Sequence, residues 1–381
     1  MKQRAYIMLL ALALVPLAPL ATEPLSPWRA AAPGYTWEFP RDLAVHPEFK
    51  TEWWYITGHL QPVDDPGAEP LGYQLTFFRS GLAPADSLAR TTAWDPVDLV
   101  MAHAAVSDPV TGKHVFSEVI WRTTPFLGGF GQPGDARLAW CRAPAGTDAV
   151  WQLDWNDGVF DLKIQDDAKG LRYELQCMPT RPPVFHGQDG FSPKTADGKS
   201  GSLYFSQTRM RTSGTVYRGE KAVAVTGRSW LDREIFTSTL AANQKGWDWA
   251  ALGLDDGRDL MLYRLRNQEG QEDFALGTLV DAQGKSQALS ATEWTLEALD
   301  FWDSEETGSR YPIRWKLTIP AENLRLMVQA VMPDQENVSA RTGIHYWEGA
   351  VTVHPYTDQE QLLGRGFVEL TGYGQDSRPP I

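Results

Sequence analysis

Short runs of residues that alternate between apolar and polar, with a period of two, fill this chain from end to end. In the first half they read TEWWYITGHL, GYQLTFFRS, LVMAHAAVSD, AVWQLDWND, VFDLKIQDD, LRYELQCMP and SLYFSQTRM. In the second half they read WDWAALGL, RDLMLYRLRN, FALGTLVDA, YPIRWKLTIP, LRLMVQAVM, HYWEGAVTVH and GRGFVELTGY. A period of two puts successive side chains on opposite faces of a sheet and does not suit a helix. Glycine (33) and proline (26) cut the runs apart, with turn signals such as NDG, DDAKG, DDGRD and DAQGK between them. The one short helix candidate is 239–246, TLAANQKG. The pattern predicts an all-β protein of antiparallel strands, arranged as barrels or sandwiches.

The halves echo one another. EWWYITGHL…GYQLTFFR is a tryptophan strand, a turn, then an apolar strand ending in Arg79, and WDWAALGLDDGRDLMLYRLR repeats that plan and ends in Arg266. Together with 381 residues, the echo predicts two tandem antiparallel β-barrel domains, 36–237 and 238–378. One large sandwich is the alternative.

Residues 1–21 have the form of a secretory signal peptide. Lys2 and Arg4 precede an apolar stretch, Ile7 to Leu20, and small residues follow at Ala18 and Ala21. The stretch is short for a bilayer span, and no later segment is apolar enough to cross one. The expected location is therefore secreted or periplasmic, with no stable membrane span after signal cleavage. A net charge of −13 argues against nucleic acid or an anionic membrane surface as partner. Cys141 and Cys177 are the only cysteines. They could pair in an oxidising compartment or stay as buried thiols.

Alternation sorts the candidate residues by face. In the opening strand Glu52 and Trp54 share one face, and Trp53, Tyr55 and His59 the other. Large aromatics on both faces imply that both are covered. Glu52 is expected to pair with Arg79 or another arginine, and the aromatics to carry ligand contact. In GRSWLDREI, Trp230, Asp232 and Glu234 share a face opposite Arg233. Two carboxylates at i and i+2 are about 7 Å apart along the strand; buried, one would titrate high and could donate a proton. The alternative is a surface pair answered by Arg228. His103, among small apolar residues, is a core histidine or a proton-transfer group. Glu348 lies opposite Trp347 and Gly349, the glycine permitting close approach. Sixteen tryptophans supply broad apolar faces. The candidate ligand wall comprises Glu52, Trp53, Trp54, Tyr55, Tyr73, Phe77, Trp230, Trp249, Tyr263, Trp347 and Glu348. The seven histidines show no metal-ligand spacing, and there is no glycine-rich nucleotide loop, G-x-S-x-G or H-E-x-x-H. No metal or cofactor is expected.

FPRDLAVHPEFKTEWWYITGHL (39–60), YQLTFFRS (73–80), MAHAAVSD (101–108), SLYFSQTRM (202–210), GWDWAALGLDDGRDLMLYRLR (246–266) and YWEGAVTVH…GFVELTGY (346–373) together resemble the AttH-like and carotenoid 1,2-hydratase family, in family order. The resemblance implies two lipocalin-like barrels with a pocket within or between them. Hydratase members add water across the terminal double bond of an acyclic carotenoid, and fungal Diels–Alder-type cyclases are similar in fold. Alkene protonation needs a carboxylic acid kept protonated, a water, and aromatic faces for the cation. Asp232 or Glu234, with Trp230 and Trp249, could supply them. The hydratase pattern W-x-D-H-E-W reads here with Arg233 and Ile235 in place of its histidine and second tryptophan. Arginine does not relay protons near neutral pH, so the chain resembles the secreted AttH-like branch, found beside transporter genes, more than the hydratases. Three functions are expected in this order: a binder of an apolar, isoprenoid- or lipid-like small molecule; a hydro-lyase acting on a C=C bond; and an accessory protein of an export transporter complex.

Overall fold

A computed structural model of the chain describes residues 26–84, 92, 94–238, 240–357, 361–374 and 377–379. The expected leader, 1–21, lies outside them. Among the described residues helix is confined to two three-residue 3₁₀ turns, Arg41–Leu43 and Pro320–Glu322. The expected helix at 239–246 does not form: Ala241 is bonded back by Gln244 in a turn, and a strand starts at Gln244. The strand that follows buries Asp248 to Leu252 and Leu254, and that burial decides against a helix of only eight residues.

The strands form two antiparallel sheets. The first draws all its strands from between Thr51 and Phe236, and the second from between Gln244 and Leu370. In the first, Thr51–Pro62 lies between Leu71–Gly81 and Lys221–Phe236, so the first and last long strands of the unit are paired. This sheet curls into a nearly closed barrel. The second is a half-barrel, with Gln244–Leu254 and Gly364–Leu370 paired at its middle.

The barrel is filled. Trp54, Ile56, Leu75, Phe77, Trp151, Phe160 and Tyr173 point inward with no solvent exposure. The interior is a packed core, with side chains where a lipocalin lumen would hold its ligand. Both cysteines are free thiols in this core; Cys177 Sγ lies 3.4 Å from the Tyr73 hydroxyl.

The inward face of the opening strand also carries Glu52, with a buried ion cluster around it. Arg79 Nη1 lies 3.2 Å from its carboxylate, Arg233 pairs with its other oxygen, and the backbone N–H of His46 donates at 2.9 Å. The Arg233 guanidinium lies 3.8 Å from the centroid of the Trp54 ring. Burial alone would raise the Glu52 carboxyl; Arg233, His46 and Arg79 outweigh it and hold the group well below the usual range. The pairing expected of Glu52 is present, with two arginines in place of one.

The opposite faces of the same strands meet the second sheet. Tyr55, Tyr204, Trp230, Trp249, Met261, Tyr263, Ala350 and Phe367 form one cluster between the sheets. The sheets approach closely at Gly72, where an added Cβ would sit 2.7 Å from the Ala350 Cβ. Glycine is required there by contact.

Removing one member of a buried ion pair leaves the other charge uncompensated. Glu52→Gln is therefore expected to destabilise the protein by about 3–5 kcal/mol, read as a lower urea midpoint. Glu52→Leu combined with Arg233→Met should cost less than the sum of the two single changes. Strict additivity would show that the pair is not coupled.

Candidate active site between the sheets

Strand register builds the site. Cross-strand partners share a face, and in the first sheet one row runs Glu118, His103, Thr76, Tyr55, Asp232, Ser206. The corresponding row of the second sheet runs Glu348, Glu369, Trp249, Tyr263. Both rows face the seam. The Tyr55 hydroxyl donates to Glu348 Oε1 at 2.5 Å, and Trp249 Nε1 donates to the Tyr204 hydroxyl at 3.0 Å.

Asp232 and Glu234 are both buried on this face, but their partners differ in kind. Glu234 is paired with the ammonium of Lys194 at 2.8 Å and also accepts from Ser202. Asp232 accepts only from neutral donors: the Tyr204 hydroxyl at 2.7 Å, Trp230 Nε1 at 2.6 Å and the Ser206 hydroxyl. Burial dominates those bonds and pushes the Asp232 carboxyl up to about 7. Glu369 is likewise pushed up to about 7 by burial, against one bond from Trp247 Nε1 at 2.8 Å. Burial and the neighbouring Glu369 raise Glu348 further, and its Oε2 is buried without a hydrogen-bond partner. The seam thus holds carboxyl groups that keep their protons near neutral pH, facing aromatic rings.

A cleft of about 460 Å³ opens along the seam beside this cluster. Trp230, Ala251 and Phe367 belong to its apolar lining, and His59, Arg211 and Arg365 to its polar one. The Trp230 indole therefore lines the cleft and donates to Asp232, and the acid lies behind it.

Of the sequence candidates, Trp53, Tyr55, Trp230, Trp249, Tyr263, Asp232, Glu234, Glu348 and His103 lie on the seam faces. Trp53 packs edge-on against Phe236 toward one end of the seam. His103 sits against Phe78, Phe116 and Tyr346, its Nδ1 2.7 Å from the Tyr346 hydroxyl. Burial lowers it to about 4, so it is neutral. Glu52, Trp54, Tyr73 and Phe77 face the barrel core instead, the first in the ion cluster and the others in apolar packing. Trp347 lies in the second sheet's core, edge-on to Trp315, and the close approach at Gly349 is that of the Trp347 ring itself.

The family model for AttH-like proteins matches residues 30–373. The chain belongs to the AttH-like family. A crystal structure assigned to AttH from Nitrosomonas europaea is 31% identical, with a TM-score of 0.77 over 91% of this chain and 99% of that one. Kievitone hydratase from Nectria haematococca shares the fold at 15% identity, with a TM-score of 0.59 over 86% of this chain and 90% of its own. Dehydratase asqC of Emericella nidulans is 21% identical over 56% of this chain. The match spans 62% of that relative's length.

In this AttH-like chain the departure at Arg233 falls on the barrel side of its strand. Arg233 is bound to Glu52, and Ile235 also packs away from the seam, beside Phe49 and Leu203. Neither replaces anything around Asp232. Sequence reasoning missed Glu369, Lys194, His186 and Tyr204. Glu369 carried a signal, an acid two residues from Phe367 in an apolar strand. Lys194 and His186 come from the irregular stretch 180–200, where alternation does not apply. His186 Nε2 lies 2.7 Å from Ser206 Oγ and Nδ1 2.9 Å from Thr278 Oγ1; burial and then Lys194 lower it to about 3. Among the described residues no three His, Cys, Asp or Glu side chains come together to hold a metal ion.

A carboxyl with a raised folded-state pKa binds its proton more tightly folded than unfolded. Stability from that group is full below the unfolded value, near 4.5 for glutamate, falls as pH rises toward about 7, and is level above. Glu369→Gln keeps an acceptor for Trp247 and removes the titration. Its stability relative to wild type should rise by on the order of 3 kcal/mol between pH 4 and pH 8, measured by denaturant titration at each pH. A pH-independent difference would show that Glu369 does not titrate in this range.

Proposed function

We propose that the protein is a hydro-lyase that adds water to a C=C bond of an apolar unsaturated molecule held at the seam, or removes water from such a molecule to form one. Asp232 is the proton donor. The observation that carries this reading is the contrast between the two carboxyls of one strand: Glu234 has a cation and Asp232 has none. Environments that separate two acids in this way assign them different roles. The fold shared with a hydratase and the partial likeness to a dehydratase support the same chemistry. The arginine at 233, on the other face of the strand, does not oppose it.

In the hydration direction the Asp232 O–H bond breaks and a C–H bond forms at the less substituted alkene carbon. The positive charge passes to the neighbouring carbon, against the faces of Trp230, Trp249 and Tyr204. A water oxygen bonds that carbon, and its proton returns to the Asp232 carboxylate. Dehydration runs the same steps backward, with Asp232 protonating the departing hydroxyl. The buried ion pair of Glu234 with Lys194 fixes the strand end.

A carrier that holds the same molecule unchanged is the second reading. It is favoured by the position of Trp230, which lies between the cleft and the acid. The expected leader would deliver either protein outside the cytoplasm, and the export-complex partner belongs to the same proposal.

Lycopene and neurosporene incubated with the protein in ¹⁸O-labelled water test the reading. Asp232→Asn should lower label incorporation by about 10²–10⁴, and wild-type activity should fall as pH rises through about 7. An unchanged rate in Asp232→Asn would sink the assignment. Tight binding of the polyene with no label in the product would favour the carrier.

A further inference from the structure

The cleft has a charged end that the chemistry above does not use. Four arginines line it, in a chain of net charge −13. Two are neutralised in place: Arg209 by Asp259 at 2.8 Å and Arg228 by Asp255 at 3.3 Å. Arg211 and Arg365 have no carboxylate within 4 Å among the described residues; Arg211 reaches only Met178 Sδ, at 3.3 Å. The Nε–H of Arg365 is buried and donates to nothing.

His59 stands at the same end. Its Nε2 lies 2.9 Å from the carbonyl oxygen of Gly366, so Nε2 carries the hydrogen and donates it. Nδ1 is then a bare lone pair, and it too is buried with no partner. Burial first, and then the nearby Arg365 charge, keep the ring neutral, lowering it to about 4. Buried polar groups are rarely left unmet, and one orphan donor beside one orphan acceptor describes the complement of a missing group. That group accepts from a guanidinium and donates to a histidine nitrogen.

His59 is four residues beyond Tyr55 on the seam face, and Tyr55 is the cross-strand partner of Asp232. Four residues of strand span about 13 Å. Between the two ends lie the apolar Trp230, Ala251 and Phe367. The cleft is polar at one end, apolar along its body, and reaches toward the acid at the other.

We propose that the cleft takes an amphiphilic hydroxy acid: its carboxylate is held by Arg365 with Arg211 behind it, its hydroxyl donates to His59 Nδ1, and its apolar chain runs over Phe367 and Ala251 toward Trp230. This rests on the reading that the seam holds a small molecule, and it fixes which end of that molecule faces away from Asp232. Arginine suits a carboxylate through charge-assisted bonds that lysine would not place as well.

Calorimetric titration at pH 8 and low salt with 2-hydroxydecanoate, decanoate and 1-decanol tests it. The hydroxy acid should bind tightest, decanoate about tenfold weaker and decanol at least about tenfold weaker again. Arg365→Met should abolish the gap between decanoate and decanol. His59→Phe should abolish the gap between hydroxy acid and plain acid. Should either variant fail to fold, the exposed Arg211→Met must still weaken both acids and leave decanol unchanged. Decanol binding as tightly as the acids, no binding of any of the three, or a ranking unaltered by these substitutions overturns the proposal. Acid-selective binding with no ¹⁸O label entering an unsaturated long-chain acid or either polyene would overturn the catalytic reading alone, and water addition without acid selectivity would overturn this one alone.

Discussion

The rest of the structure depends on two paired strands, Thr51–Pro62 and Lys221–Phe236, the first buried on both faces along nearly its whole length and the second from Ser229 onward. Period-two alternation forces their side chains into two populations. One fills the barrel with Trp54, Ile56 and Leu231 and carries the Glu52–Arg233 pair. The other presents Tyr55, Trp230 and Asp232 to the second sheet. A slip of one residue would exchange the sets and bring Arg233 and Glu52 to the seam and Asp232 and Glu234 to the core. The inward ion cluster is thus a register device as well as a local contact. Glu52 meets Arg79 on one neighbouring strand and Arg233 on the other, and only one alignment satisfies all three.

With register fixed, the seam receives carboxyls it can hold only in protonated or paired form. Desolvation of an isolated carboxylate is expensive, and the group responds by keeping its proton. Glu234 escapes through Lys194. Asp232, Glu348 and Glu369 do not, and the hydrogen bonds they receive come from hydroxyls and indoles. Such groups weaken the fold near neutral pH, because unfolding lets them ionise. Groups of this kind concentrate where chemistry needs a proton in reserve. The inward pair at Glu52 stabilises the same strands from the other side.

Much of this was legible from residue order. Alternation alone separates Glu52 and Trp54 from Tyr55, and Asp232 from Arg233. The all-β character followed from the same signal. Three things were not legible. Strand alternation says that a face is covered but not by what, so Tyr73, Phe77 and Trp347 read as ligand wall although they pack the cores. It carries no information in irregular segments, so Lys194 and His186, which decide the charge around Glu234 and Asp232, were invisible. And the difference between the two acids rests on a partner forty residues away in sequence, Lys194 for Glu234, with no counterpart for Asp232.

A filled barrel changes where variation can act. A lipocalin that binds in its lumen must alter its own core to alter its ligand, and close-packed cores resist such change. Here the face toward the second sheet is every second residue of strands whose other residues pack the barrel. Tyr55, Asp232, Glu369 and Phe367 can each be exchanged with little consequence for Trp54, Leu231 or Val368 on the reverse side. The fold persists at 15% identity in kievitone hydratase, as expected of a scaffold whose core and site lie on opposite faces of the same strands. In the AttH-like chain the separation extends along the cleft, with proton-holding carboxyls around Asp232 and unmet polar groups at His59 and Arg365. The two ends are set by different residues, so the character of one can change without the other.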